Sequence, residues 1–312
     1  MKKYNVGIIG ATGMVGQRFI TLMENHPWFS VTALAASPRS AGKKYSEAVN
    51  KKWSMSSPIP QYARDMVVLD AQADMQKIAG MVDFAFCAVD MKKDEIRALE
   101  EAYAKLECPI ISNTSAHRGT PDVPMIIPEL NAGHAAVIPF QRKRLGTKRG
   151  FIAVKSNCSI QSYVPAIHPL LDLGVSKVLA CTYQAISGAG KNFETWPEMV
   201  DNVIPYIAGE EDKSDNEPLK IWGSVENGVI VPASRPNITS QCIRVPVTDG
   251  HLAAVFMSLD QKTDMDEILR RWAAYKGAAQ KLNLPSAPKQ FAVFHAAPDF
   301  QRFIDGFIFF AC

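Results

Sequence analysis

The chain begins with an apolar strand, a glycine-rich turn and a helix, and this order restricts the fold more than any other feature. The strand covers residues 4–9, Gly10, Gly13 and Gly16 follow, and apolar residues then recur at helical spacing. In such a turn the first glycine permits a tight bend, the second lets the backbone approach a pyrophosphate and the third lets helix and strand pack closely. Three glycines alone are a weak signal, but this context predicts dinucleotide binding at the helix N-terminus. The predicted cofactor-binding residues of this turn are Gly10, Ala11, Thr12, Gly13, Met14, Val15 and Gly16.

The end of the second predicted strand, residues 29–36, bears on the choice of cofactor. A site that prefers NAD usually has an acidic residue here to bind the ribose 2′-hydroxyl. This chain instead has Ser37, Arg39 and Ser40, with two lysines shortly after them. Hydroxyls and cations suit a 2′-phosphate, so NADP is the predicted cofactor. The alternative is an ordinary polar turn.

Strands and helices continue to alternate along the first half of the chain. Further strands are predicted at residues 66–69, 82–88 and 109–112, and a helix at residues 94–106. This alternation predicts an α/β protein with a doubly wound, Rossmann-type parallel sheet.

The loop after the strand at residues 109–112 leaves the carboxyl edge of this sheet. Its Asn113 and Arg118 offer a donor and a cation for an anionic substrate group. A solvated loop is the alternative, and His117 is interpreted as structural.

Size and composition limit the remaining possibilities. With 312 residues and 47% hydrophobic content, the chain is expected to form two domains. A net charge of +3 is too small and dispersed to indicate nucleic acid, and no apolar run reaches the length of a membrane span. The six cysteines form no CxxC pair and no cluster with zinc spacing, so no metal and a reducing, cytoplasmic location are expected.

The expected domain boundary lies near residue 150. Residues 1–150 would bind NADP, and residues 151–312 would form the second domain. Residues 141–149 contain five Lys or Arg and are predicted to be a solvated connection between the two.

A second strand-to-helix junction surrounds Cys158. Residues 151–154 are predicted to be a buried strand, Ser156 and Asn157 are helix-capping residue types, and residues 160–171 carry apolar side chains at roughly helical spacing. A cysteine in the first turn of such a helix is favoured as the thiolate by the helix dipole and could attack a carbonyl, with nearby N–H groups holding the oxyanion. The alternative is a small apolar residue packed at the junction.

The second half of the chain is predicted to consist mainly of strands. They cover residues 175–186, 229–232, 240–247 and 252–259, and a tight turn at residues 248–250 would join the last two as a hairpin. We therefore expect an α+β domain with a mostly antiparallel sheet.

Several features of this half could belong to a site. The first of its strands contains Gln184, and Arg244 lies in an otherwise apolar strand, which is unusual unless the arginine is paired or binds an anion. His251 begins the following strand, whereas residues 210–220 are predicted to be an exposed charged segment and residues 265–282 an amphipathic helix. A small-residue turn that either passes a nicotinamide ring or is a simple bend consists of Ser187, Gly188, Ala189 and Gly190.

Taken together, these motifs resemble the aspartate-semialdehyde dehydrogenase family, particularly its archaeal and fungal branch. The motifs that carry the resemblance are Gly10-Ala11-Thr12-Gly13-Met14-Val15-Gly16, Ser112-Asn113 with His117-Arg118, Val123-Pro124 through Ile127-Pro128-Glu129, Ser156-Asn157-Cys158-Ser159, Ser187-Gly188-Ala189-Gly190, Glu217-Pro218-Leu219-Lys220, and Arg244 with His251. The resemblance implies NADP-dependent reductive dephosphorylation of L-4-aspartyl phosphate to L-aspartate 4-semialdehyde, a step in lysine, methionine, threonine and isoleucine biosynthesis. It also implies a homodimer or homotetramer assembled through the second domain.

The resemblance assigns the residues that act on the acyl group. Cys158 would be the nucleophile that forms a thioacyl enzyme, and His251 would be the general acid/base. Gln184 would orient the substrate or acyl intermediate, and Asn157 would help to shape the oxyanion site.

The resemblance also assigns the residues that bind the rest of the substrate. Arg244 would bind the α-carboxylate, and Glu217 would contact the amino group. Lys220 and Arg118 would bind the phosphate, with Asn113 nearby.

The end of the chain departs from the family pattern. Members usually continue with an Asn near the nicotinamide and a helix that returns to the nucleotide-binding domain. Residues 306–312 give no sign of such a helix, and residues 298–302 only faintly resemble the family's late Pro- and Arg-rich loop.

The sequence alone leaves two other functions open. A malonyl-CoA reductase would use the same cysteine, histidine and NADP on a CoA thioester. A non-catalytic nucleotide-binding or redox-sensing protein would retain the cofactor site without the reaction.

Overall fold

The computed structural model describes residues 3–292 of the chain, and the predictions for residues 298–302 and 306–312 lie outside that range. The described chain divides into two compact units. The first contains the residues up to Met125, His134–Lys155 and Val225–Ile230, and the second contains Ile126–Gly133, Ser156–Ser224 and the chain from Val231 onward. The predicted division at residue 150 stays a prediction.

The first unit is built on a six-stranded parallel sheet. Its strands are β1 (Tyr4–Ile9), β2 (Phe29–Ala36), β3 (Leu69–Asp70), β4 (Phe84–Cys87), β5 (Ile110–Ser112) and β6 (Ile152–Val154). Their spatial order is β3-β2-β1-β4-β5-β6, with every pairing parallel. This is the Rossmann order, in which ligands bind where the strand order reverses, between β1 and β4. The predicted fold class is confirmed.

Helices follow the strands in the pattern that the sequence predicts for a doubly wound sheet. In chain order the α-helices are α1 (Met14–Leu22), α2 (Tyr45–Ala48), α3 (Gln61–Arg64), α4 (Met75–Met81), α5 (Lys93–Lys105), α6 (Pro128–Asn131), α7 (Ile138–Leu145), α8 (Val164–Ile167), α9 (Glu210–Ile221), α10 (Met265–Ala274) and α11 (Ala278–Lys281). None of the helices formed by residues 3–292 is long and apolar enough to cross a membrane.

The prediction that residues 141–149 form a solvated connection is wrong. Gln141 is completely buried in α7. Its side-chain Nε2 donates to the Ile152 carbonyl oxygen, and its Oε1 accepts the Ile152 N–H. The exposed Arg144 pairs with Asp122 and Glu101. A dense run of positive charge therefore belongs to a packed helix of the first unit.

The second unit contains a mixed three-stranded sheet. The remaining strands are β7 (Val175–Gln184), β8 (Ser224–Glu226), β9 (Val229–Val231), β10 (Asn237–Arg244) and β11 (His251–Leu259), of which β8 and β9 form a separate pair. The sheet order is β10-β7-β11, with β10 parallel and β11 antiparallel to β7. The predicted hairpin between the last two strands is wrong, because β7 lies between them.

Two predicted helices of this unit are interrupted. Residues 160–171 form two 3₁₀ turns around the short α8, because Pro165 and Pro169 lack the N–H groups that a continuous helix needs. Residues 265–282 break after α10 at Gly277, where a Cβ would lie 2.2 Å from the carbonyl oxygen of Glu129. This close backbone approach requires glycine, which is a poor helix former.

Candidate functional site

The register of the mixed sheet brings three predicted site residues side by side. Gln184, at the end of β7, is the pairing partner of Arg244 on β10 and of His251 on β11. Along β7 the residues at even positions from Val178 to Gln184 are buried, so Gln184 points to the inner face. The shared register explains how groups 60 or more residues apart in the sequence meet at one end of a sheet.

Cys158 is in direct contact with His251. The Nε2 atom of the imidazole lies 3.2 Å from the Cys158 sulfur. At the other side of the ring, the backbone N–H of Ala185 donates to Nδ1 at 3.1 Å. The Gly250 carbonyl oxygen also lies 3.0 Å from Nδ1, so the neutral ring has its proton either on Nε2, facing the sulfur, or on Nδ1, with Nε2 free to accept from the thiol. The pair therefore has the geometry of a nucleophile and its general acid/base.

The backbone around Cys158 differs from the predicted helix N-terminus. Cys158 precedes a four-residue 3₁₀ turn, Ser159–Ser162, which is too short to supply a helix dipole. The predicted capping is present, since Asn157 Oδ1 accepts the N–H of Ser159 at 2.8 Å and its hydroxyl at 2.6 Å. The physical reason to expect a reactive sulfur is therefore the contact with His251 and the nearby charge of Arg244, not the dipole.

Arg244 is buried beside this pair. Its Nη1 donates to the carbonyl oxygen of Ala185 at 2.8 Å. Burial lowers the pKa of the Arg244 guanidinium, and the charges of Glu210 and Cys158 oppose this shift. An arginine whose pKa is depressed still carries its charge at neutral pH, so the site holds a desolvated cation suited to a carboxylate.

Helix α9 supplies acidic and basic groups to the same unit, and the prediction that residues 210–220 are an exposed segment is wrong. Glu210, Ser214, Glu217 and Lys220 are all buried. The Glu217 carboxylate accepts the backbone N–H of Asn157 at 2.6 Å, so it holds the chain next to the nucleophile.

Glu210 is a site residue that the sequence reasoning missed. Its Oε2 accepts the side-chain N–H groups of Asn157 at 3.0 Å and Gln184 at 3.3 Å. The signal for it was present, because Glu210, Ser214 and Glu217 recur at the spacing of one helix face. The many charges between them concealed this pattern.

The turn after β7 brings Gly188 against the catalytic side chains. A Cβ at this position would lie 2.9 Å from Arg244 Nη1 and 3.0 Å from His251 Cε1. The predicted turn Ser187–Gly190 thus passes directly over the site, and a side chain at Gly188 would displace Arg244 or His251.

The first unit carries the predicted cofactor turn. Gly10 has φ +91°, and a Cβ there would lie 2.5 Å from the Ala88 carbonyl oxygen after β4. A Cβ at Gly16 would lie 2.2 Å from the Gly10 carbonyl oxygen, which fits the predicted close packing of α1 on β1. At Gly13 the nearest atom to a Cβ would be 3.6 Å away, so this side of the turn has room for a ligand. The cradle fits a pyrophosphate at the switch point of the sheet.

The side chains at the end of β2 that are predicted to bind the 2′-phosphate are only partly accessible. Ser37 and Arg39 are exposed, whereas Ser40 is buried and its N–H bonds the Ser37 carbonyl at 2.9 Å. Lys44 pairs with Asp65 at 2.9 Å. Among the predicted cations, Arg39 and Lys43 are both exposed.

The loop after β5 holds Asn113, His117 and Arg118. The Asn113 N–H bonds the Cys87 carbonyl at 2.8 Å, and Arg118 Nε donates to the carbonyl oxygen of Lys155 at 3.0 Å. His117 is buried, its Nδ1 lies 3.1 Å from Thr120 Oγ1, and burial lowers its pKa. These contacts agree with the structural interpretation of His117.

Three buried cysteines have surroundings that contrast with those of Cys158. Burial raises the pKa of Cys108 to about 12 and raises the pKa values of Cys87 and Cys242. Cys158 is exposed and in contact with an imidazole. Within the described part of the chain, no group of three or more His, Cys, Asp or Glu could hold a metal ion.

Comparison with known protein families identifies both halves of the chain. Residues 5–138 match the model described as "Semialdehyde dehydrogenase, NAD binding domain". Residues 167–296 match the model described as "Semialdehyde dehydrogenase, dimerisation domain".

Individual proteins give the same result. The aspartate-semialdehyde dehydrogenase of Methanothermobacter thermautotrophicus is 41% identical over 92% of this chain and 80% of its own length. That of Cryptococcus neoformans is 38% identical over 94% of this chain and 81% of its own. Among solved structures, the Candida albicans enzyme with NADP matches with a TM-score of 0.85 and 34% identity, covering 96% of this chain and 84% of that one.

Proposed function

Because the chain belongs to the aspartate-semialdehyde dehydrogenase family, we propose that it interconverts L-4-aspartyl phosphate and L-aspartate 4-semialdehyde with NADP. The observation that carries the proposal is the contact of Cys158 with His251 beside a buried Arg244. In the biosynthetic direction the reaction is a reductive dephosphorylation through a thioacyl enzyme.

The first step needs an anionic sulfur and an electrophilic carbonyl. The Cys158 sulfur attacks the acyl carbon, a C–S bond forms, and the C–O bond to phosphate breaks with its electron pair leaving on phosphate. Arg244 favours the thiolate electrostatically, and it is also the residue that we assign to the substrate α-carboxylate. A guanidinium fixed at Ala185 can pair with a carboxylate in one defined orientation.

The second step releases the acyl group as the aldehyde and regenerates the free sulfur of Cys158. Bound NADPH supplies a hydride for the thioester carbon. His251 then acts from Nε2 as the general acid while the C–S bond breaks and the aldehyde leaves, and in the reverse direction it acts as the base. Acid–base catalysis of this kind contributes about 10²–10⁴-fold to a rate.

The other substrate contacts stay predictions from the family resemblance. Glu217 is assigned to the amino group, and Lys220, Arg118 and Asn113 to the phosphate. The burial of Glu217 and Lys220 places both assigned charges on the inner face of α9, where Glu217 also accepts the backbone N–H of Asn157.

NADP is proposed as the cofactor because the β2 end has Arg39 in place of an acidic residue. The glycine turn would hold the pyrophosphate, and Arg39 with Ser37 would face the 2′-phosphate. The Arg39→Ala variant should lose about tenfold in NADP affinity and little in NAD affinity, as measured by fluorescence titration. Equal losses for both cofactors would remove the argument for NADP.

A homodimer is proposed through the outer face of the mixed sheet. Leu179 and Phe256 are cross-strand partners there, and they are 59% and 74% exposed. Exposed apolar patches of this kind mark interfaces. Higher assembly to a tetramer is a further expectation from the family.

The decisive experiment is phosphate-dependent reduction of NADP by aspartate semialdehyde. Wild-type protein should reduce NADP only when phosphate is present, and Cys158→Ser should abolish turnover while it leaves NADP binding intact. Preference for malonyl-CoA over aspartyl phosphate would identify the acyl-CoA reductase alternative. NADP binding without any turnover would identify a non-catalytic relative.

A further inference from the structure

We propose that Glu210 is a positioning residue whose carboxylate fixes the side-chain amides of Asn157, which precedes Cys158, and Gln184, which is in register with His251. The inference rests on the proposed function, because it concerns the same reaction. It adds a residue outside the motifs that carry the family resemblance.

The contacts of Glu210 use both carboxylate oxygens. Oε2 accepts Asn157 Nδ2 at 3.0 Å and Gln184 Nε2 at 3.3 Å, and Oε1 accepts Lys213 Nζ at 2.5 Å. All three donors meet an acceptor-only group, which only an ionised carboxylate provides. One side chain therefore joins β7, the segment before Cys158 and α9.

The Asn157 amide is fixed at both ends. Its Oδ1 accepts the N–H and the hydroxyl of Ser159, so its NH₂ group has to face Glu210. The backbone N–H of the same residue is held by Glu217. With four hydrogen bonds to three residues, Asn157 presents the following residue, Cys158, in one orientation.

The Gln184 amide is fixed in the same way. Its NH₂ group donates to Thr182 Oγ1 at 3.2 Å as well as to Glu210, so its carbonyl oxygen points away from the carboxylate. Because Gln184 is in register with Arg244 and His251, its orientation matters for the group that sits between them.

Electrostatics support an ionised Glu210. Burial alone would raise the pKa of this carboxyl, but Lys213 and the amides of Asn157 and Gln184 hold the pKa below its ordinary value. Two further titratable groups sense Glu210: it stabilises the charged guanidinium of Arg244, and together with burial and Glu211 it raises the pKa of the Cys242 thiol.

The Glu210→Gln variant keeps the shape of the side chain and removes this arrangement. If the new carbonyl faces the two amides, its NH₂ group meets the Lys213 ammonium; if it turns round, three NH₂ groups face one another. Charge-assisted hydrogen bonds are the stronger kind, so we expect kcat/KM to fall by about 10- to 100-fold, mainly in kcat. Alkylation of Cys158 by iodoacetamide should be at least as fast as in the wild type, because the loss of a negative charge favours the thiolate.

A double-mutant cycle with Asn157→Ala separates positioning from general stability. Positioning predicts that Glu210→Gln costs at least threefold less in the Asn157→Ala background than in the wild type. Asp212→Asn, on an exposed position of the same helix, is the matched control and should retain wild-type turnover. Additive effects in the cycle, or wild-type turnover in Glu210→Gln, would overturn the proposal.

Lys213→Met tests the alternative that Glu210 is only an ion-pair partner. This variant keeps the contacts of Glu210 with the amides of Asn157 and Gln184, so its kcat at pH 8 should stay within about fivefold of wild type. A loss in kcat equal to that of Glu210→Gln would overturn the proposal. Should Glu210→Gln fail to fold, Lys213→Met still decides by itself, because a loss in kcat of more than about fivefold at pH 8 would overturn the proposal. A crystal structure of Glu210→Gln tests the amide orientations without substrate, and unchanged amides would refute positioning even if the protein had no dehydrogenase activity.

Discussion

Adding one methyl group at Gly188 should damage catalysis without damaging the fold. In Gly188→Ala the new Cβ would lie 2.9 Å from Arg244 Nη1, 3.0 Å from His251 Cε1 and 3.2 Å from His251 Nε2. Ordinary carbon contacts begin near 3.5 Å, so both side chains have to move by about half an ångström or more. Neither moves freely, because Ala185 bonds Arg244 through its carbonyl and His251 through its N–H.

The magnitude follows from the geometry of the Cys158–His251 pair. Displacing the imidazole lengthens its 3.2 Å contact with the sulfur, and a misplacement of about 1 Å can cost about 10²-fold in rate. We expect kcat/KM for aspartate semialdehyde to fall by about 10- to 100-fold in a spectrophotometric assay of NADPH formation. Alkylation of Cys158 by iodoacetamide should slow as well, since the imidazole no longer faces the sulfur.

Stability provides the control for this prediction. Gly188 does not have a left-handed backbone, so the unfolding free energy should change by no more than about 1 kcal/mol. Gly80→Ala adds the same methyl group in α4, where no atom lies within 4 Å, and should leave turnover unchanged. If Gly188→Ala had wild-type kcat/KM and wild-type alkylation, the argument that this turn fixes Arg244 and His251 would be refuted.

Three further outcomes follow from the described contacts. The backbone N–H groups of Lys148, Gly150 and Arg149 lower the pKa of Glu107 to about 2. The ionised carboxylate therefore stabilises the folded protein above the ordinary pKa of a glutamate, and this stabilisation is lost as the pH falls toward 2. In denaturant unfolding, Glu107→Gln should be less stable than wild type at pH 7 and as stable as wild type near pH 2. In Gly16→Ala a Cβ 2.2 Å from the Gly10 carbonyl oxygen should cost about 3 kcal/mol of unfolding free energy and abolish NADP binding in a titration, and intact binding would contradict the close packing. Phe256→Glu should halve the mass seen by light scattering with the melting temperature of the fold otherwise retained, and an unchanged mass would place the dimer interface elsewhere.

The sequence predicted the parts of the fold that depend on local pattern. The strands β1 and β2 were placed at their observed bounds, because alternating turn and apolar signals mark them clearly. The contact of Cys158 with His251 is the arrangement that the family motifs predicted, whereas the roles of the two residues stay predictions.

Other parts depend on tertiary contacts that no local pattern encodes. The order of β10, β7 and β11 is decided by a long-range parallel pairing, whereas the short turn at residues 248–250 suggested a hairpin. The burial of α9 was hidden because its charged residues find partners both within the helix, as with Glu210 and Lys213, and far away in the sequence, as with Glu217 and the backbone N–H of Asn157. The dipole argument at Cys158 failed because two prolines divide the segment that follows.

The strict alternation of β7 has a consequence for how such an enzyme can change over generations. Gln184 faces inward on this strand, and Leu179 faces the surface that we assign to self-association. Because successive side chains of a strand emerge on opposite sides, deleting or inserting one residue between them would turn the glutamine outward or the leucine inward. The reaction and the self-association therefore both depend on the register of the same ten-residue strand. During evolution this strand can change by substitution but not by a change in its length.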